Sequence, residues 1–181
     1  EVRALARKFG LPVADKSDSQ EICFLPDTDY RGFLKKHCGS KMRQGEVVDL
    51  DGNVLGGHKG IAYYTVGQRE GLGIALGFPA YVIKIDALKN RLTVGAKENA
   101  EASEFVAKET NFIIKPLKKK IAASVKIRYN HKEMPADVWI SGRKMKIKFK
   151  TAQFAVTPGQ SAVLYDRDTV LGGGIIEKVV K

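Results

Sequence analysis

Two thiols, one arginine–tyrosine pair and a cluster of lysines are the groups in this sequence whose types and spacing could do chemistry. Cys23 stands in the polar stretch Asp18-Ser19-Gln20-Glu21-Ile22-Cys23-Phe24, outside any apolar periodicity. A thiol in such a loop is reachable, and a reachable thiolate can accept a sulfur atom and pass it on. The plainer fate of a lone cysteine is burial as a small hydrophobe. The carboxylates of Asp18 and Glu21, if close to the thiol, would oppose thiolate formation, so activation would have to come from other groups. Cys38 falls at the end of an expected helix, beside Gly39, and is read as incidental. Two cysteines with fourteen residues between them, and histidines scattered at positions 37, 58 and 131, make neither a disulfide framework nor a metal site.

Arg128-Tyr129 lies in the most basic part of the chain. The formal charge is +11, and residues 115–150 carry twelve Lys/Arg against two acids, Glu133 and Asp137. A field that concentrated attracts a phosphate backbone; its plainer meaning is a solvated, lysine-rich surface. Arginine can fork onto a phosphate or a base edge, and tyrosine offers a stacking face. Neighbours in a regular strand point to opposite faces. The pair can therefore act together only at a strand end or bend, and the alternative is a core tyrosine beside a surface arginine. The glycine-dense run 67–73 lacks the Gly-Lys-Ser/Thr ending of a Walker loop, and Gly172-Gly173-Gly174 lacks the G-x-G-x-x-G spacing. Both are read as tight turns and bulges, and no nucleotide site is legible.

The elements that must position these groups fall in two styles. Val2, Leu5 and Phe9 have helical spacing up to Gly10, and a second helix is expected from Asp27 or Thr28 to Gly39. From Gly45 onward the pattern is of strands. Glu46 to Leu50 and Val54-Leu55 flank an Asp-Gly turn, and Tyr81 to Ile85 and Arg91 to Val94 form a second hairpin. Residues 144–150 alternate lysine with Met145, Ile147 and Phe149, giving one dry and one basic face. Residues 123–129 repeat this, with Val125, Ile127 and Tyr129 on one face and Lys126 and Arg128 on the other.

The expected fold class is mainly β: two small β-barrel domains behind a short helical and loop segment. The expected division is 1–40, 41–100 and 101–181. Hydrophobic residues make up 44%, a normal globular share, and no apolar run approaches a membrane span. A cytoplasmic monomer is expected.

The motifs together resemble one family, the bacterial tRNA-specific 2-thiouridylases (MnmA/TrmU). Residues 18–24 are similar to its D-S-Q-x-I-C-F segment. Gly56-Gly57-His58-Lys59-Gly60 and residues 64–74 resemble its central-domain signature. Lys126-Ile127-Arg128-Tyr129, residues 155–163 around Thr157-Pro158-Gly159-Gln160, and residues 171–176 resemble its C-terminal barrel. The chain departs from the family where an acidic-Pro-Gln-Arg/Trp pattern often precedes that turn and Thr151-Ala152-Gln153-Phe154 stands instead.

The resemblance implies a sulfurtransferase that makes 2-thiouridine at the wobble position (U34) of tRNA. An N-terminal PP-loop domain, whose S-G-G-x-D-S signature is absent here, binds ATP with Mg and adenylates the C2 oxygen. A persulfide on Cys23 then delivers sulfur to C2, with a second cysteine of the ATP domain as disulfide partner. Lacking both, this chain is expected to be inactive alone and to bind no cofactor. The resemblance also implies that Arg128, Tyr129 and Gln160 touch tRNA. Lys126 and the lysines of 144–150 are plausible phosphate contacts. The expected partners are a tRNA with a wobble uridine and a cysteine desulfurase or sulfur-relay protein as persulfide donor. The alternative is a non-catalytic β-barrel RNA-binding module, which leaves the match around Cys23 unexplained.

Overall fold

The computed structural model describes residues 1–15, 29–39, 42–114 and 116–180. They form two units, Glu1–Met42 and Arg43–Lys181. In the first unit, α1 (Val2–Lys8) ends ahead of Gly10, which takes the left-handed φ of 62° that stops a helix. Helix α2 (Tyr30–Cys38) begins at Asp29, whose carboxylate accepts from the Gly32 amide at 2.9 Å. Cys38 closes it as a free, half-buried thiol. The polar stretch 18–24, with Cys23, lies outside the described residues.

The second unit opens with four short strands: β1 (Gly45–Val48), β2 (Val54–His58), β3 (Tyr81–Asp86) and β4 (Arg91–Gly95). They form a sheet of order β2-β1-β4-β3, in which β1 and β4 run parallel and the two hairpins antiparallel. Asp49 organises the first turn. Its carboxylate accepts from the amides of Asp51 and Asn53 and from Asn53 Nδ2, and the Asn53 side-chain bond is the chief reason its pKa sits below the usual value. Val47, Val82, Leu92 and Val94 make the core. His58 explains the Gly-Gly-His segment. Its Nδ1 accepts from the Gly60 amide at 3.1 Å, which places the proton on Nε2, 3.0 Å from the Asn90 carbonyl. A buried imidazole thus ties the end of β2 to the β3–β4 turn.

Six further strands close a barrel: β5 (Glu101–Phe112), β6 (Lys120–Lys126), β7 (Met134–Ser141), β8 (Lys144–Phe154), β9 (Ser161–Asp166) and β10 (Thr169–Val180). Their order around the barrel is β10-β5-β8-β7-β6-β9. The expected alternation of β8 holds: Met145, Ile147 and Phe149 are buried and the lysines face out. Phe105, Val125, Val138, Leu164 and Ile176 complete the core. The glycine run of β10 lies among register shifts, so its glycines serve the bends that let one strand pair with both β5 and β9. The chain is mainly β, with a closed barrel and a second sheet. Among the described residues no helix is long and apolar enough to cross a membrane.

Candidate nucleic-acid interface

Strand β6 ends at Lys126, and Ile127 is the last residue that dips into the barrel core. The chain then bends, and the alternation that put Tyr129 on the dry face no longer applies. Tyr129 is 92% exposed, while Arg128 is half-buried. The alternative of a core tyrosine beside a surface arginine is overturned: the two have exchanged environments, because face alternation needs a continuing strand and the pair lies past the end of β6.

Arg128 is tied down. Its Nη2 donates to the carbonyls of Ala155 at 2.7 Å and Val66 at 3.3 Å and to Thr157 Oγ1 at 2.9 Å, and its Nε donates to Gln160 Oε1 at 3.2 Å. Burial pulls its pKa below the ordinary arginine value. Thr157 Oγ1 in turn donates to the Ala155 carbonyl at 2.8 Å. The Gln160 amide closes the Thr-Pro-Gly-Gln turn on the Thr157 carbonyl, and the Gly159 amide and Gln160 carbonyl bond Ile176 of β10. One guanidinium thus holds three segments in register: the turn at Val66, the end of β8 and the start of β9.

Lys126, Arg128, Tyr129 and Gln160 line one open cleft of about 570 Å³ on the barrel wall. The sequence reading missed that Ser161, Val163 and Tyr165 line it as well. Their signal was present: Ala162 and Leu164 are inward apolar residues, so the alternate residues of β9 face out. It also missed the Ala155, Thr157 and Val66 partners of Arg128, which no local pattern announces. A larger groove of about 950 Å³ is lined by Tyr64, Thr65, Ile83, Val156 and Pro158 among others, and by none of the four residues named above.

The basic segment separates into two kinds of lysine. On β8, Lys144 pairs with Glu177 at 2.9 Å, Lys146 with Glu104 at 2.7 Å and Lys150 with Asp137 at 2.6 Å. These carboxylates come from the neighbouring strands β7 and β5 and from β10. Lys126 has no carboxylate partner among the described residues, and it faces the cleft. His131 donates its amide to the Arg128 carbonyl at 3.2 Å. Desolvation first, then the charge of Arg128, lowers its pKa below the ordinary value.

The glycine-dense run 67–73 makes no phosphate cradle at Gly67. The Gly67 amide is spent on the Val82 carbonyl at 2.8 Å rather than left open to a phosphate, and a Cβ at Gly67 would overlap that of Ala155. No group of three or more His, Cys, Asp or Glu among the described residues could hold a metal ion.

The fold and the cleft define a mainly β chain whose closed barrel presents an aromatic, a lysine and a side-chain amide on one wall. Three family models match in chain order: a tRNA methyl transferase HUP domain at residues 1–27, a tRNA methyl transferase PRC-barrel domain at residues 31–96, and an aminomethyltransferase beta-barrel domain at residues 102–176. The tRNA-specific 2-thiouridylase MnmA 2 of Clostridium botulinum strain Hall is 48% identical over 99% of this chain and 51% of its own length. MnmA 1 of Caldanaerobacter subterraneus subsp. tengcongensis is 50% identical over 100% of this chain and 50% of its own, and MnmA of Clostridioides difficile strain 630 is 48% identical over 98% and 50%. The chain belongs to this family, the tRNA-specific 2-thiouridylases, and matches the C-terminal part of its members. It spans about half the length of the curated relatives it matches.

Proposed function

We propose that this chain is the sulfur-carrying and tRNA-docking part of a tRNA-uridine 2-sulfurtransferase acting at the wobble uridine. The observation that carries the docking half is the cleft, where Lys126, Arg128, Tyr129 and Gln160 converge at the end of β6. An exposed tyrosine face, an uncompensated lysine and an amide held in place by an arginine suit RNA better than a small molecule or a protein. The sulfur half rests on Cys23, within a segment similar to the family's persulfide site.

In this reading the terminal sulfur of a Cys23 persulfide, loaded by a cysteine desulfurase or a relay protein, forms the new bond to C2. The C2 oxygen departs with its activating group. A second thiol then attacks Cys23 and displaces the transferred sulfur, which leaves Cys23 in a disulfide. ATP with magnesium supplies the activation and belongs to residues outside those described here.

The test has two arms. Binding of the chain to an unmodified tRNA with a wobble uridine is measured across a salt series, with Tyr129→Ala alongside; salt-sensitive binding that the substitution weakens is expected. In the full-length enzyme, Cys23→Ser is expected to abolish 2-thiouridine formation and Cys38→Ser to leave it intact. Thiolation that survives Cys23→Ser would leave only an RNA-binding module.

A further inference from the structure

We infer that the outer face of β6 and β9 binds a short unpaired stretch of the RNA, with Tyr165 as a second base-stacking platform. The inference rests on the tRNA-docking reading and names the form of RNA it takes.

The register fixes the layout. Ser124 lies opposite Tyr165 and Lys126 opposite Val163, and past the end of β6 Arg128 reaches the start of β9 through its bond to Gln160. Ala162 and Leu164 are fully buried in the barrel, which turns Ser161, Val163 and Tyr165 outward into the same cleft as Tyr129. Tyr165 lies opposite Ser124, whereas Tyr129 follows the bend after Lys126, so the two tyrosines stand toward opposite ends of the cleft. Lys126 and Val163 lie between them. The cleft suits a few extended nucleotides: a base on each tyrosine, an apolar floor at Val163 and a phosphate within reach of Lys126.

The charge count selects an unpaired segment over a helix. Gripping a duplex needs several free cations along its phosphates, with shape rather than base faces read. Here Arg128 is committed to four internal acceptors, which leaves Lys126 as the lysine of the cleft. Tyrosine rings gain by stacking on base faces, which a duplex keeps covered. Gln160 adds a preference. Its Oε1 is taken by Arg128 Nε, so its Nε2 offers donors alone, suited to a base carbonyl or a phosphate oxygen.

The experiment uses the 181-residue chain with three ligands: unmodified tRNA, a short oligouridylate, and an RNA duplex of matching charge. Tyr165→Leu is expected to weaken tRNA and oligouridylate binding about tenfold, with the salt slope unchanged and duplex binding unaffected. Tyr165→Phe should stay within about twofold, because the ring persists. Val163→Glu, which puts a carboxylate on the cleft floor, should weaken both single-stranded ligands even if Tyr165→Leu folds poorly. If Tyr129→Ala weakens binding while Tyr165→Leu and Val163→Glu do not, the docking reading stands and the second platform is refuted. If none of the three changes matters, the docking reading itself fails. Equal losses on duplex and oligouridylate would show that the face takes a helix, which also overturns the inference.

Discussion

Arg128 Nη2 lies 3.3 Å from the carbonyl oxygen of Val66, which ties the barrel to the turn that precedes β3. A residue that reads as a nucleic-acid contact in sequence is, in the fold, mainly a cross-brace. Its removal strands the Val66 carbonyl and deprives Ala155 and Thr157 of a charged donor.

Arg128→Ala is therefore expected to destabilise the chain by about 1.5–3 kcal/mol, the range for losing a charge-assisted bond, here a partly buried set whose acceptors are left unpaired. Arg128→Lys should recover little, since a single ammonium cannot reproduce the fork. Tyr129→Ala, at an exposed position, should change stability by less than about 0.5 kcal/mol while still weakening tRNA binding. Urea unfolding of the three variants beside tRNA titration separates brace from contact. Comparable stability losses for Arg128→Ala and Tyr129→Ala would contradict this division.

The sequence was most legible where one residue's neighbours decide its fate. The alternation of β8, the Asp-Gly hairpin and the second hairpin are local patterns: the second hairpin matches its expected bounds to within a residue, while β8 runs four residues past 150 and β2 three past Leu55. Arg128-Tyr129 shows where that ends. Its environment depends on β6 stopping at Lys126 and on carbonyls 27 and 62 residues away. The lysines of β8 make the same point. Their basic face was visible, but the acids that offset it, Glu104, Asp137 and Glu177, arrive by strand pairing.

Gly67 packs against the same brace. Its φ is 86°, and a Cβ there would run into Ala155 and Phe154, whereas Gly73, at φ 67°, faces open space. Gly73→Ala should cost only the left-handed backbone penalty, about 1–2 kcal/mol. Gly67→Ala adds a steric overlap worth about 1–3 kcal/mol more. Thermal unfolding of the pair should rank Gly67→Ala clearly the worse, and an equal ranking would show that the close approach to Ala155 relaxes freely.

Acid should act in two stages. His131 has its pKa lowered from the ordinary 6.5 by desolvation and by Arg128. A group depressed in the folded state is protonated more readily when unfolded, so its contribution is complete above the ordinary value and fades as pH falls below it. Asp137 and Glu177 are lowered chiefly by their bonds from Lys150 and Lys144. Their contribution is complete above about pH 5 and is lost as pH falls through their depressed values. Melting temperature against pH should therefore show a shallow decline below about pH 6.5, removed by His131→Asn, and a second decline at lower pH, reduced by Asp137→Asn with Glu177→Gln. A single acid transition that ignores His131→Asn would rule out the first stage.

The two kinds of lysine predict different salt dependence. Each phosphate neutralised by a free cation adds about one unit to the slope of log affinity against log salt. Lys126 has no carboxylate partner among the described residues and faces the cleft, so Lys126→Gln should lower the slope of tRNA binding by about one. Lys146 and Lys150 are already paired with Glu104 and Asp137. Moving to a phosphate would require giving up those pairs, so Lys146→Gln and Lys150→Gln should leave the slope near its original value. Titrations at four or five salt concentrations decide it. A slope that falls with the β8 substitutions and not with Lys126→Gln would shift the docking face from the β6–β9 wall to the β8 wall of the barrel.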